Sequence, residues 1–500
     1  SPTLAMICTR FLENKNFVPQ KYWQLKLQTA KDNVSFAALS ADKYDTQQAA
    51  IDTLQKIKEA ETVQVKTVER KEVNQEPPLL YDLTSLQKEA NTKLNFSADK
   101  TLSIAQKLYE GKLISYPRTG SRYISQDVFE EIPERLVNLE QYTRFAGYAA
   151  GMKGKALNSR SVNDGKVTDH HALIVTENLP GKLETDEQAI YELIAGRMLE
   201  AFSEKCVKDV TSVTLECAES LFTVKGSVIK SAGWRAVFGE KEDGEDNATL
   251  PAMQDGDSLP LSGIELLEKQ TKPKPLHTES SLLSSMETAG KELENADLKA
   301  SMKDTGIGTP ATRAAIIETL FKRNYIRKEK KNLIATPTGV ELIQIIHEEL
   351  LKSAELTGIW EKKLREIEKR TYNAGQFLEE LKQMVSEVVM SVLSDNSNRH
   401  ITIQAPAPEK GSKASAKTEA ADKPKKEPKK RTPRKSVAAG KKTEQASGAV
   451  AASSTEASVQ ADDFVGQPCP LCGKGTVIKG KTAYGCSEWK SGCTFRKPFE

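Results

Sequence analysis

The octapeptide LISYPRTG at 113–120 places a phenol two residues before a guanidinium. Pro117 disfavours a helical backbone at the preceding residue, so Tyr116 is expected in an extended segment. Side chains at i and i+2 of such a segment share a face, and a guanidinium can bind two phosphate oxygens at once. A phenol, with a pKa near 10, attacks only when a base, a metal or a cation stabilises the phenolate. The spacing therefore favours Tyr116 as a nucleophile towards a phosphodiester and Arg118 as its cation; an architectural tyrosine at a strand end is the alternative.

A second polar segment, VTDHHALI at 167–174, carries two of the five histidines side by side. Adjacent side chains on a helix or strand point in different directions, so one histidine is expected to pack while the other faces a cleft. A polar turn with one satisfied core histidine is an equally good interpretation of these residues alone. The segment thus offers His170 and His171 as candidates without deciding between the two interpretations.

A third segment, TGIGTPATR at 305–313, leads a glycine-rich turn into a helix. Thr309 suits the N-cap and Pro310 suits the first helical position. The free N–H groups and the dipole of such a helix end attract phosphate, and Arg313, one turn further on, would add a charge-assisted contact. An ordinary capped helix is the structural alternative.

The helix that must position Tyr116 is visible in the pattern just before it. Ser97 is a suitable N-cap, and Asp99 suits the first turn. Gly111 ends the helix. The apolar face consists of Leu102, Ile104, Ala105, Leu108 and Tyr109.

Two strand-rich blocks flank a long helical stretch. Alternation in 22–27, a helix at 46–61 and a strand at 63–68 form the first block, and strands at 207–228 and 233–266 form the second. Pro77-Pro78 marks the entry to the helical stretch 79–202. The order indicates one β domain interrupted by the domain that carries Tyr116.

The Asp-x-Asp at Asp255 and Asp257 is predicted to be a turn. Asp-Gly between apolar strands is a turn signal, and no third acid lies at a suitable spacing, so we assign no magnesium there.

After Arg313 the helix continues through Ile316, Ile317 and Leu320. Strands at 325–326 and 333–336 surround a turn at 328–332. A helix followed by a β-hairpin is a winged-helix pattern, and a helix carrying Trp360-Glu361 follows.

Length, composition and charge limit the remaining possibilities for fold and function. Five hundred residues imply several domains, and 38% hydrophobic residues support globular folding over most of the chain. The sequence has neither a run of eighteen apolar residues nor a signal peptide, so membrane insertion and secretion are not expected. From 405 to 444 it carries 13 Lys and Arg against 5 Asp and Glu, a balance of +8; because the net charge is +3, the remainder carries −5. A folded part that binds nucleic acid must therefore use a local groove.

The segment 405–463, rich in Ala, Lys, Pro, Ser and Thr, has no apolar periodicity, so a disordered tether is expected, with its basic half adding salt-sensitive DNA affinity. A solubilising linker is the alternative.

Four of the seven cysteines lie in the last 32 residues. Four thiolates suit a tetrahedral structural zinc with no open position, so the tail predicts a zinc ribbon. The ligands would be Cys469, Cys472, Cys486 and Cys493. Trp489, Tyr484 and Phe495 are candidates for stacking on unpaired bases.

Taken together, the helix leading to Tyr116, the Tyr-Pro-Arg-Thr form, the His-His segment, the Gly-Ile-Gly-x-Pro element and the Ser-Pro-Thr-Leu start resemble type IA DNA topoisomerases, on the topoisomerase III branch, over most of residues 1–395. The resemblance implies a multidomain α+β toroid without the family's N-terminal metal-binding Toprim domain, which is expected to be absent here. The implied parts are a helical domain with a winged-helix element (1–18 and 271–395), a β-rich arch (19–76 and 204–270), a helical tyrosine domain (77–203), a disordered basic linker (396–463) and a zinc ribbon (464–500).

The resemblance also implies roles and partners. Tyr116 would become linked to a 5′ phosphate, Arg118 would neutralise its charge, and His170 would assist the leaving oxygen. Contacts to DNA are assigned to Thr309, Thr312, Arg313, Glu279 and His171. Mg²⁺ would enter through the missing domain, and Zn²⁺ through the ribbon. The expected partner is single-stranded or underwound DNA, with a helicase as a candidate, for a monomeric, cytoplasmic, nucleoid-associated bacterial protein. The alternatives are a non-catalytic DNA-binding scaffold and a tyrosine recombinase or type IB enzyme, which would leave a 3′ link.

Overall fold

The computed structural model describes residues 2–239, 249–303, 306–346, 349–394, 466–479, 483–488 and 493–498. The chain divides into two compact units, Ser1–Lys410 and Gly411–Glu500. The predicted linker 396–463, Thr305 and Trp489 lie outside the described residues. None of the described helices is both long and apolar enough to cross a membrane.

The strands are β1 Lys21–Lys31, β2 Val34–Ser40, β3 Thr62–Gln75, β4 Cys206–Cys217, β5 Ser220–Ser231, β6 Ser258–Gln270, β7 Ile326–Glu329, β8 Asn332–Ala335, β9 Val477–Lys479, β10 Ala483–Cys486 and β11 Arg496–Pro498. The α-helices are α1 Pro2–Asn16, α2 Gln47–Lys58, α3 Leu83–Leu94, α4 Ala98–Glu110, α5 Gln126–Leu139, α6 Ala146–Met152, α7 Thr185–Phe202, α8 Glu279–Thr288, α9 Ala296–Ser301, α10 Pro310–Lys322, α11 Pro337–Ile345, α12 Glu355–Glu368 and α13 Ala374–Ser394.

The first six strands close into an antiparallel barrel in the order β1-β2-β5-β4-β3-β6. Alternate side chains fill its interior, as period-two strands require, and helix α2 packs against it. The interior includes Leu25, Leu27, Val63, Val65, Leu215 and Phe222.

Three strand expectations differ from this barrel. Strand β3 continues past residue 68 to Gln75, and the block 207–228 is two strands joined at Ala218 and Glu219, both with positive φ. Gly233–Ala236 is a 3-10 helix, so the strand prediction was wrong there, and β6 begins only at Ser258.

The turn predicted before β6 is confirmed. Gly256 has φ 86°, and its N–H donates to the Val65 carbonyl. The carboxylate of Asp257 pairs with the Lys31 ammonium at 2.6 Å, and Asp255 accepts the Val68 N–H at 2.7 Å. Both acids therefore fasten the turn to the barrel.

Helices α3 to α7 form a second core within the first unit. Helix α7 is buried continuously from Ile190 to Phe202, so it is the central element of this core. The core includes Leu80, Tyr81, Leu108, Ile114, Leu173, Ile190, Tyr191 and Phe202. Ile114 and Leu173 belong to the two polar segments that the sequence analysis identified, and they anchor those segments in this core.

A third core joins α1 to α8, α10 and the β7–β8 hairpin. The hairpin after α10 confirms the helix-then-hairpin pattern. The members of this third core include Leu4, Ile7, Leu282, Met286, Ile317 and Leu333.

In the second unit, β9, β10 and β11 form an antiparallel sheet in the order β11-β10-β9.

Candidate active site and metal centre

Helix α4 leads into the segment that carries Tyr116. The Ser97 hydroxyl accepts the Lys100 N–H at 3.1 Å, which caps the helix as predicted, and Gly111 lies at its C-terminus. Between Gly111 and Gly120 the chain forms one β-bridge, from Ile114 to Val175, and Tyr116 itself lies outside any helix or strand. The segment is therefore held by individual contacts rather than by a sheet, which differs from the expected strand.

Backbone contacts join the two predicted polar segments into what we term the loop pair, residues 111–124 and 161–175. The Ser115 N–H donates to the Ile174 carbonyl at 2.9 Å, and the Ala172 N–H donates to the Tyr123 carbonyl at 2.8 Å. The buried Thr119 hydroxyl donates to the His170 carbonyl at 3.0 Å. These bonds fix the backbone on which the candidate catalytic side chains stand.

The loop pair brings Tyr116 and His170 into contact. Their ring centroids lie 4.4 Å apart with the planes inclined by 47°. Tyr109, from the last turn of α4, meets the Tyr116 ring edge-on at 5.3 Å. Tyr116 is half-buried and His170 is exposed, so a strand of nucleic acid can approach both.

The other two polar residues of these segments differ from each other. Arg118 is exposed, and in the described part of the chain it forms no salt bridge. Its guanidinium is therefore available to an external anion. His171 is half-buried, and its Nδ1 lies 2.7 Å from the Ala172 carbonyl, so it is the histidine of the pair that is held by the protein.

The N-terminus of α10 lies beside the loop pair. A Cβ placed on Gly120 would meet the Cγ of Pro310 at 3.5 Å. The Thr309 N–H donates to the Thr312 hydroxyl at 2.9 Å, and Thr309 is the N-cap, as predicted. Gly308 has φ 67°, which explains the glycine in this turn. Residues 113–120 and 306–313 are thus neighbours in space.

Two residues assigned to DNA contact lie in the interior instead. Arg313 is 2% exposed and donates to the Ile307 carbonyl at 3.2 Å and to the Thr84 hydroxyl at 2.9 Å. Glu279 is 1% exposed; it accepts the Ala98 N–H at 2.8 Å and pairs with the Lys328 ammonium at 3.1 Å. The sequence analysis treated these charges as surface groups, whereas Arg313 joins α10 to α3 and Glu279 joins α8 to α4.

These contacts belong to a polar interdomain interface, formed by α3 and α4 on one side and α8, α10 and the β7–β8 hairpin on the other. The Ser280 N–H donates to the Asn91 side chain at 3.0 Å, and Lys88 pairs with Glu287 at 3.0 Å. The Lys331 ammonium donates to the Thr92 carbonyl at 3.0 Å. Directional bonds therefore cross this interface at several points. No local sequence pattern predicts these pairings, because the partners are distant in the chain.

The four terminal cysteines converge. Their sulfur atoms all lie within 4.8 Å of one another, with 3.8 Å between Cys469 and Cys493 and 3.5 Å between Cys472 and Cys486. A tetrahedral ion with metal–sulfur bonds of about 2.3 Å needs sulfurs about 3.8 Å apart. The donor set and spacing therefore fit a metal ion such as zinc. Tyr484 is only 7% exposed, so the expectation that it stacks on bases is not supported.

Comparison with known proteins defines the class. A family model described as DNA topoisomerase matches residues 1–379, so the chain belongs to that family. The relatives place it more narrowly, as a type IA, topoisomerase III-like protein. It is 36% identical over 428 residues to DNA topoisomerase 3 of Bacillus subtilis, covering 81% of this chain and 58% of that protein. For DNA topoisomerase 3 of Bacillus licheniformis the identity is 36% over 413 residues, covering 79% and 56%.

Among solved structures, full-length topoisomerase I from Thermotoga maritima matches with a TM-score of 0.60 and 25% identity, covering 77% of this chain and 62% of that one. This likeness supports the type IA topoisomerase fold. The chain spans a little over half the length of the curated relatives that it matches.

Proposed function

We propose that this chain carries the cleavage tyrosine and part of the strand-binding groove of a type IA topoisomerase. The activity would be ATP-independent cleavage of one DNA strand, strand passage and religation. The observation that carries the proposal is the contact of the Tyr116 ring with the exposed His170 ring, beside the free Arg118 and the N-terminus of α10. A nucleophile, a proton carrier and two anion-attracting groups meet there on one surface.

In the proposed reaction the Tyr116 oxygen forms a bond to phosphorus while the bond from phosphorus to the 3′ oxygen breaks. The phenol gives its proton to solvent water, and the departing 3′ oxygen gains one, for which His170 is the adjacent donor or relay. Arg118 stabilises the charge on the phosphate oxygens. The phosphotyrosine retains the energy of the broken ester, so the reverse attack by the 3′ hydroxyl reseals the strand without ATP.

Thr309, Thr312 and His171 are proposed to lie along the bound strand, since all three stand in or beside the loop pair. Arg313 and Glu279 are proposed as positioning residues, because each is buried with protein partners. Glu279 binds the first N–H of α4, the helix whose far end delivers Tyr116.

Opening of a gate would separate the tyrosine-bearing helices from the helical domain at the interdomain interface. The tyrosine-bearing helices are also attached to the barrel. There the Trp234 indole donates to the Gln75 carbonyl at 3.1 Å. The Phe238 ring lies so close to Gly196 of α7 that a Cβ on this glycine would meet it at 2.1 Å. The polar interface is therefore the side proposed to part, with the barrel side as the hinge.

Magnesium is implied by the resemblance and would neutralise charge on the scissile phosphate. Among the described residues, the cysteine cluster is the group in which three or more potential metal ligands converge. The described carboxylates form no such group beside Tyr116. For that cluster we propose zinc in a structural role, because four thiolates leave no open position. The proposed partners are single-stranded or underwound DNA and a helicase, for a monomeric, nucleoid-associated protein.

Covalent trapping tests the proposal. In DNA topoisomerase 3 of Bacillus subtilis, the aligned region would be replaced by the matching residues of this chain, and the chimaera mixed with end-labelled single-stranded oligonucleotide and magnesium. A 5′-linked adduct is expected, lost with Tyr116→Phe and retained with Tyr109→Phe as the matched control. An adduct that survives Tyr116→Phe, or none from a folded chimaera that binds the oligonucleotide, would demote Tyr116 to an architectural residue.

A further inference from the structure

Besides Arg118, the loop pair carries an exposed cation, Lys166, that lies against an aromatic ring. Lys166 is exposed at the end of a 3-10 turn, Asp164–Lys166, and its ammonium lies 4.7 Å from the centroid of the Tyr123 ring. The ammonium also lies 3.3 Å from the Tyr123 hydroxyl. In the described part of the chain it forms no salt bridge with a carboxylate.

The backbone of this pair is fixed as firmly as that of Tyr116 and His170. The buried Ser121 hydroxyl donates to the Lys166 carbonyl at 2.9 Å and accepts the Tyr123 N–H at 3.1 Å. The Ser121 N–H in turn donates to the Thr119 hydroxyl, the group that holds His170. One short set of hydrogen bonds therefore links Lys166 and Tyr123 to the candidate catalytic residues.

The neighbouring basic residue shows what a structural cation looks like at this place. Arg122, between Ser121 and Tyr123, donates its Nε to the Leu80 carbonyl at 3.1 Å and is half-buried. Lys166 instead has an aromatic face and a weak hydroxyl contact, which orient an ammonium without neutralising it. An oriented, unneutralised ammonium at the surface suits a phosphate oxygen.

We propose that Lys166 binds a backbone phosphate next to the one attacked by Tyr116 and that Tyr123 positions the Lys166 ammonium. The ligand class is a single-stranded nucleic acid, read through its phosphate and not through its bases. This inference rests on the proposed function, because it requires a strand to lie across the loop pair.

The test measures binding of the full chain, carrying Tyr116→Phe to prevent cleavage, to a labelled single-stranded oligonucleotide between about 50 and 200 mM salt. Lys166→Gln is expected to lower affinity several-fold and to reduce the slope of log affinity against log salt by about 0.7, the contribution of one phosphate contact on a single strand. Lys166→Arg should restore the slope. Tyr123→Phe, which keeps the ring, should keep the slope and lower affinity less than Lys166→Gln does.

The matched control is Lys56→Gln, which removes an exposed lysine from α2 on the barrel and should leave the slope unchanged. Oligonucleotides that each carry one neutral methylphosphonate locate the contact. The methylphosphonate at the contacted phosphate should weaken binding by the parent but should not further weaken binding by Lys166→Gln. If the parent binds and Lys166→Gln binds with the same affinity and slope, this inference is wrong while the role of Tyr116 stands. If the folded parent does not bind single strands, both this inference and the proposed function are wrong.

Discussion

The His170 ring lies 4.4 Å from the Tyr116 ring, and the bonds that hold the two segments together involve other groups. The Thr119 hydroxyl binds the His170 carbonyl, and Ser115 binds both Ile174 and Ala172 through backbone and side chain. Backbone attachment leaves both rings free to meet a substrate. The side chains proposed for the chemistry therefore differ from the groups that position them, so substitutions can test the two roles separately.

His170→Gln should slow cleavage with little effect on binding. The substitution removes the proposed proton carrier adjacent to Tyr116 but leaves the carbonyl that Thr119 holds. General acid–base catalysis contributes about 10²–10⁴-fold, so single-turnover adduct formation by the trapping chimaera should fall by that order. Oligonucleotide affinity should change less than about threefold, since the phosphate contacts proposed for Arg118 and Lys166 remain. An unchanged rate would show that His170 packs against Tyr116 without taking part.

Thr119→Val should destabilise the loop pair and slow cleavage through placement. The buried hydroxyl donates to the His170 carbonyl and accepts the Ser121 N–H, so its loss leaves two groups without a partner. The expected loss in free energy of unfolding is about 1–3 kcal/mol by chemical denaturation. Thr119→Ser keeps the hydroxyl and should restore both stability and adduct yield; a slow, fully stable Thr119→Ser variant would contradict this positioning role.

The helix before Tyr116, its Ser97 cap and the helix-hairpin order after Thr309 were predictable because their signals are local. Barrel closure was not, since β1 pairs with β6, whose residues lie in the other half of the first unit's sequence. Nothing in a run of residues specifies such a partner.

Within the site, the residue types at Tyr116 and His170 indicated their chemistry, but only the fold could place them in contact. Arg313 and Glu279 were misplaced because a charged side chain carries no sign of its burial in the sequence. Tyr109 looked like a member of an apolar face, and no local signal marked it as the edge-on neighbour of Tyr116. Sequence thus identified candidates, and tertiary pairing decided their roles.

The bond between Arg313 and Thr84 should couple the two sides of the interdomain interface. Thr84→Val leaves a buried guanidinium with fewer acceptors, and Arg313→Lys cannot reproduce two separate donors. A double-mutant cycle on the free energy of unfolding should give a coupling of about 0.5–3 kcal/mol, as is typical of residues in contact. Thr92→Val is the control, because it removes a hydroxyl that lies 3.3 Å from the Ser280 hydroxyl across the same interface; it should show no coupling with Arg313→Lys.

Removal of the metal should unfold the second unit and spare the first. Four cysteines around one position leave little else to hold the short strands β9 to β11 together. Titration with a chelator should release about one zinc ion per chain, with loss of hydrogen-exchange protection in strands β9, β10 and β11 and none in the first unit. Cys486→Ser should behave like the chelated protein. Retained protection of β10 after complete chelation would exclude a structural metal.

Acid should destabilise the first unit through His277. Burial, with a smaller effect from the Arg10 charge, lowers the pKa of His277 to about 4 from its ordinary 6.5. The unfolded chain therefore takes up a proton as the pH falls below 6.5 while the folded chain stays neutral until about pH 4. Stability is full above pH 6.5 and decreases through this window by up to about 3 kcal/mol from this group alone.

In His277→Gln the decrease between pH 7 and pH 4 should be smaller by about that amount, because glutamine does not titrate. The variant should also be less stable than the parent at pH 7, since the imidazole packs at 4% exposure with Nδ1 3.1 Å from the Ser281 hydroxyl. Chemical denaturation at several pH values measures both effects. A stability difference between parent and variant that stays constant from pH 7 to pH 4 would assign the acid sensitivity to other groups and leave His277 a packing residue.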